Sequence, residues 1–139
     1  LHFQEEGEDM PRVTQLVLNL QSKPGVLANV CGILASAGIN IEAICAAEAA
    51  AGKGRIRILV GDADKAETAL KDAKIRCGRE EAITVFLENR PGALAEAGRK
   101  LAQAKVNIKC AYATTSGPGQ AVVVLSVSNV QKAIGALGG

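Results

Sequence analysis

Lys23-Pro24-Gly25-Val26-Leu27-Ala28 and Arg90-Pro91-Gly92-Ala93-Leu94-Ala95 decide the fold, because the second stretch repeats the first at an offset of 67 residues. The same offset, without a gap, aligns Leu34-Ala35 with Leu101-Ala102 and Asn40-Ile41 with Asn107-Ile108. It runs on through Val60 and Val127, Lys65-Ala66 and Lys132-Ala133, and Ala69-Leu70 and Ala136-Leu137. Matches at one spacing along most of the chain are the mark of two copies of one structural unit.

Outward from the two Pro-Gly turns, each copy reads the same way. Upstream, Leu16, Leu18 and Leu20 alternate within Val13 to Leu20, as do Ile83, Val85 and Leu87, which predicts a half-buried strand. Downstream, Leu27, Val30, Cys31 and Leu34 recur at helical spacing, matched by Leu94, Ala97, Gly98 and Leu101. Proline falls at or near the first helical position, and Gly38 stops the first helix. A second strand follows over Ile39 to Ala47 and Val106 to Thr114, then turns at Ala49 to Gly54 and Thr115 to Gly119. A third strand carries Ile56, Ile58 and Val60, or Val123, Leu125 and Val127. Asp62 and Asn129 sit where a helix N-cap belongs. A short strand near Ile75 to Cys77 is expected to close the first copy, and the second shows no fourth strand of its own. The expectation is an α+β protein of two tandem ferredoxin-like βαββαβ units, antiparallel sheets with helices on one face. Its boundaries are a tag-like or disordered tail at 1–9, a first domain at 10–78 and a second at 79–139. The sheet edge of the second copy is therefore expected to be either bare or covered by a partner.

Composition narrows the function. Apolar residues at 48% and charged residues at 22% describe a globular chain. No apolar run approaches the roughly 18 residues of a membrane span, so no membrane role is expected. Aromatics are 2% (Phe3, Phe86 and Tyr112), too few for a base-stacking platform. The net charge is +2, and the acids Glu5, Glu6, Glu8 and Asp9 all precede the first basic residue. From Met10 onward 16 basic residues face 10 acidic ones, spread rather than clustered, so no nucleic-acid partner is expected. The single histidine, His2, lies in the tail, which removes histidine catalysis and ligation. Cys31, Cys45, Cys77 and Cys110 contain no C-x-x-C pair, so no zinc knuckle or redox centre is indicated, and four small core residues are expected. With no visible signal peptide, the expected compartment is the cytoplasm.

Catalytic motifs are missing. Gly52-Lys53-Gly54 and Gly117-Pro118-Gly119 join strand to strand, whereas a dinucleotide fingerprint joins strand to helix. Asp62 and Asp64 read as a helix start, and no serine has a basic partner. The strand-to-helix turn is the better candidate. Amide groups of a helix's first turn lack internal partners and favour an anion such as an α-carboxylate. Gly25 and Gly92 would let a ligand approach that backbone, and Asn89 and Asn107 could offer amides to it. The competing reading is structural: Asn89 caps its helix and Asn107 stabilises a turn.

The segment Leu87-Glu88-Asn89-Arg90-Pro91-Gly92-Ala93-Leu94, followed by Val106-Asn107-Ile108, resembles the ACT domain family. Asn19 to Leu27 with Gly38-Ile39-Asn40-Ile41 resembles it more loosely, and the two copies cover residues 12 to 139. The resemblance implies βαββαβ regulatory modules that bind amino acids, commonly at interfaces between paired domains. The second copy is similar to the serine-binding ACT domain of phosphoglycerate dehydrogenases, which implies ligand contacts from Asn89 and Asn107. Leu87 stands where that pattern has a histidine, and in the first copy Ser22 replaces the first asparagine while Asn40 keeps the second. The implied binding set is Asn89, Arg90, Pro91, Gly92, Ala93, Leu94 and Asn107, with Ser22, Pro24, Gly25, Val26, Leu27 and Asn40.

The leading expectation is a non-catalytic regulatory protein sensing a small amino acid at ACT–ACT interfaces, as a homodimer acting on an amino-acid biosynthetic enzyme. The alternative is a ligand-free assembly or regulatory subunit of such an enzyme. An acylphosphatase-like reaction would need Arg90 and Asn107 to act together and is not expected. No metal or cofactor is expected. An outward row of Thr84, Phe86, Val122 and Val124 suggests a protein contact.

Overall fold

The computed structural model describes residues 12–117 and 119–138, so the expected tail at 1–9 lies outside the described residues, as does Pro118. The element order is β1 (Arg12–Gln21), α1 (Val26–Ser36), β2 (Ile41–Ala50), β3 (Lys53–Val60), α2 (Ala63–Asp72), β4 (Gly78–Glu88), α3 (Ala93–Gln103), β5 (Ile108–Gly117), β6 (Gln120–Val127) and α4 (Val130–Gly138). Two compact units result. One spans Thr14–Glu80, and the other takes residues 81–138 together with 12 and 13.

In the first unit the strands run β2-β3-β1, all antiparallel. Leu16 and Leu18 of β1 face the same side as their partners Ile58 and Ile56 on β3. Val30 and Leu34 of α1 and Ala66 and Leu70 of α2 cover that side and complete the core. The second unit repeats the scheme in the order β4-β6-β5. Ile83, Val85, Val123 and Leu125 meet Leu101 of α3 and Ala133 of α4. The α+β architecture with helices on one sheet face is therefore as the alternation implied.

Helix ends follow local chemistry. Asp62 accepts a hydrogen bond from the Lys65 amide at 3.0 Å, and Asn129 accepts from the Lys132 amide at 3.0 Å. Such caps contribute about 1 kcal/mol each. Three helices end on the same motif, in which a left-handed residue lets the next amide reach back five residues. Ile39 N–H donates to Leu34 at 2.9 Å, Ile75 to Leu70 at 2.8 Å and Val106 to Leu101 at 2.9 Å. The left-handed residues are Gly38 (φ 73°), Lys74 (φ 63°) and Lys105 (φ 61°).

That motif corrects the expected strand at Ile75 to Cys77, which is irregular here, β4 starting only at Gly78. Ile75 is apolar because it packs on the core as the residue closing α2. Leu27 and Leu94, which begin the two helical stripes, are 43% and 51% exposed. Thr84, Val122 and Val124 are buried at 0%, 0% and 2% exposure, so the row they form is not an open contact surface. The four cysteines are half-buried, Cys77 packing against the first core, and among the described residues no disulfide forms. The turn after β2 is tighter than expected, with only Ala51 and Gly52 between strands.

A left-handed lysine costs backbone energy that glycine avoids. Lys105→Gly and Lys74→Gly should each raise stability by about 0.5–1 kcal/mol in urea unfolding, after the entropy glycine adds to the unfolded chain. Gly38→Ala should lower it by about 1 kcal/mol.

Candidate functional site at the two Pro-Gly turns

Each turn carries β1 or β4 into its helix through a glycine in the left-handed region. Gly25 has φ 91° and Gly92 has φ 90°, and each is its helix's N-cap with no side-chain cap hydrogen bond. An added Cβ would meet nothing within 4 Å at Gly25, and only Arg90 Nη1 at 3.9 Å at Gly92. Glycine is thus demanded by the backbone angle, while the space beside it stays open. Asn29 N–H donates to Gly25 at 2.9 Å and Val26 N–H to Lys23 at 3.3 Å. The amides of Leu27 and Ala28 between them find no acceptor among the described residues. The second copy repeats this with Glu96 to Gly92 at 2.9 Å and Ala93 to Arg90 at 3.3 Å, leaving Leu94 and Ala95. Both turns are tied to the hairpin beside them: Ser22 N–H donates to Gly52 at 3.0 Å and Asn89 N–H to Gly119 at 2.8 Å.

The side chains around the turns differ sharply. Arg90 Nε donates to Glu88 at 2.8 Å, and its Nη atoms reach both oxygens of Glu96 at 3.3 and 3.0 Å. Hydrogen bonding to Arg90 holds the Glu96 carboxyl below the usual glutamate range, and Glu96 and Glu88 push the guanidinium further up. In the first copy Gln21, Lys23 and Asn29 occupy the positions of Glu88, Arg90 and Glu96, so no such latch exists. Instead a cleft of 160 Å³ opens beside the turn, lined among others by Ser22, Lys23, Val26, Leu27, Ala46 and Glu48.

Ser22, Val26 and Leu27 are thus brought together, while Pro24 and Gly25 form the turn itself. Asn40 lies at the other end of α1, an 11-residue helix, or about 16 Å away. The same helix length separates Asn89, Pro91 and Leu94 from Asn107. Asn89 and Asn107 are both exposed. Gly92 is the cap of α3, so the reading of Asn89 as a helix cap is overturned. Asn107 stabilises its turn through its main chain: its N–H donates to Ser128 Oγ at 2.9 Å, and its carbonyl accepts from Ser128 N–H at 2.9 Å. Ala93 is buried beneath the turn. Sequence reading missed Glu88, Glu96 and Glu48, although comparing charges across the 67-residue offset would have exposed the first two.

Among the described residues no group of His, Cys, Asp and Glu could hold a metal ion. Among the described residues no helix is long and apolar enough to cross a membrane. Fold and turns together define a class: tandem ferredoxin-like units, each presenting a glycine-started helix to solvent. A family model described as the ACT domain pair matches residues 11–137, and the chain belongs to that family, a regulatory and non-catalytic module. A protein of Bacteroides thetaiotaomicron is similar at 35% identity and TM-score 0.84, covering 92% of this chain and 88% of that one. The regulatory subunit of aspartate kinase from Thermus thermophilus, in ligand-free form, has TM-score 0.65 at 18% identity, covering 94% and 91%. An aspartokinase of Mycolicibacterium smegmatis is 39% identical over 74 residues, which span 52% of this chain and 16% of that enzyme. Two of these likenesses are to aspartokinase proteins, one of them a regulatory subunit, and none singles out phosphoglycerate dehydrogenase.

Glu96→Gln should destabilise the protein at neutral pH. A carboxyl whose folded pKa is depressed stabilises above its unfolded value and loses that contribution as pH falls through the folded one. The stability gap between wild type and Glu96→Gln should therefore close as urea unfolding is repeated below the ordinary glutamate range.

Proposed function

We propose that this chain is a regulatory subunit of an amino-acid biosynthetic enzyme, with an aspartokinase as the leading partner class. The observation carrying this reading is the Thermus thermophilus regulatory subunit, which this fold covers almost end to end. The aspartokinase segment at 39% identity supports the same class.

The amino-acid ligand is read from the first turn. Its cleft sets the open amides at the start of α1 and Lys23 near Glu48. Those groups complement a zwitterion, the helix start taking the carboxylate and Glu48 the ammonium. Asn40 and Asn107 each sit a helix length from the turn of their own unit. A ligand touching both a turn and such an asparagine would therefore bridge two ACT units, a pairing that a homodimer would supply. By binding one packing better than another, it would report amino-acid level to the enzyme.

Thermal unfolding against the twenty amino acids at millimolar concentration tests the ligand. Saturation at about 100 times the dissociation constant should add about 2.7 kcal/mol. Glu48→Gln and Asn107→Ala should remove the shift while the chain stays folded. Adding the chain to the aspartokinase of its own organism should change that enzyme's feedback inhibition. A ligand shift without an effect on the kinase would overturn the partner, and the reverse would overturn the ligand site.

A further inference from the structure

A second cleft, of 610 Å³, lies in the first unit at the β2–β3 hairpin. It is distinct in chemistry from the turn. Asn19 pairs with Arg55 and Gln21 with Lys53 across β1 and β3. These four residues alternate with Leu18, Leu20 and Ile56, so their side chains lie on the helix-free face. Ala49 and Ala50 add a small-residue wall. Arg55 Nε donates to Asn19 Oδ1 at 3.0 Å, which orients the guanidinium and leaves its Nη donors for a further acceptor.

Charge marks this cleft out. No acidic residue lines it. The next cation along the face, Arg57, is matched by Glu80 at 3.1 Å. Among the described residues, Lys53 and Arg55 have no carboxylate within salt-bridge distance. The second copy has Phe86, Glu88, Gln120 and Val122 at the corresponding positions, so the fold itself does not require cations here. Residues two apart on a strand stand about 7 Å apart on one face, which spaces Lys53 and Arg55 to hold two anionic groups of one molecule. The cleft volume falls within the range of roughly 300–1,000 Å³ common for small-molecule sites.

We infer that this cleft binds a small organic dianion, whose oxyanion groups are held by Arg55 and Lys53 and whose polar remainder meets Asn19 and Gln21. Lys53 follows Gly52, whose carbonyl holds the Ser22 amide, so the dianion sits next to the hairpin that anchors the first turn. Gln21 also lines the first turn's cleft, but Arg55 and Lys53, which carry the charge, do not, so the inference does not depend on the amino-acid reading.

Isothermal titration of the full chain with succinate and with 3-phosphonopropionate, each carrying two anionic groups, at fixed ionic strength, tests it. Saturable binding of one molecule per chain by either is expected, the better probe distinguishing a carboxylate from a phosphate ligand. Arg55→Gln and Lys53→Gln should weaken it at least tenfold, Arg55→Lys should weaken it less, and Lys71→Gln should leave it unchanged. Circular dichroism confirms that each variant is folded, and if Arg55→Gln is not, Lys53→Gln and Arg55→Lys decide. Absence of saturable binding by both probes, a response reproduced by potassium chloride, or equal affinity in the folded cleft variants would overturn the proposal.

Discussion

The left-handed backbone at Gly25 and Gly92 is the constraint on which each unit turns. With φ near 90°, the chain leaves its first strand and enters a helix without a side-chain cap. That entry angle puts Val30 and Leu34, or Ala97 and Leu101, onto the sheet and leaves Leu27 and Leu94 at the rim. The residue three before the glycine then donates its amide to the hairpin tip of the same sheet, at Gly52 or Gly119. One junction therefore fixes the helix, the first strand and the hairpin together. The same geometry leaves two helix amides without internal partners, so the structural requirement and the binding opportunity arise from one backbone conformation.

Much of this was legible because it is periodic. Alternation in Leu16 to Leu20 and Ile83 to Leu87 placed the core face of two strands, and Asp62 and Asn129 marked two helix starts by their cap chemistry. Failures came where an apolar residue serves a purpose other than its period. Ile75 looked like a strand residue because it is apolar between polar neighbours, yet it closes α2 through its bond to Leu70. Leu27 and Leu94 fit the helical stripe, but they occupy the first turn, where the helix overhangs the sheet end. The row around Thr84 could not be read as buried from its own strand, since an alternating pattern says nothing about what covers its second face. At the candidate site the glycines and prolines were legible as turn formers, whereas the Arg90 latch depends on Glu88 and Glu96 meeting in space.

The two copies keep one backbone and give it opposite electrostatics. In the second, the helix start already has an acidic neighbour in Glu96, held by Arg90, so the positive end of α3 is partly compensated from within the chain. In the first, α1 has no acid in its first turn and Lys23 stands where Arg90 does. An incoming carboxylate meets less competition there. This reverses the order that the asparagines suggest, since Asn89 and Asn107 make the second copy look the better binder.

The latch is nevertheless not a permanent closure. Arg90 and Glu96 have side chains 45% and 50% exposed, so water and salt screen their attraction and hold neither in place strongly. A ligand carboxylate could take over the guanidinium only by releasing Glu96 beside the same helix start, where the freed charge would repel it. Occupation of the second turn therefore requires movement of a side chain that the first turn does not contain. Two sites built on one repeat would then fill at different concentrations of the same ligand, the open one first. Under the proposed function, a graded response would follow from a charge difference of a few side chains, with no change to the fold that positions them.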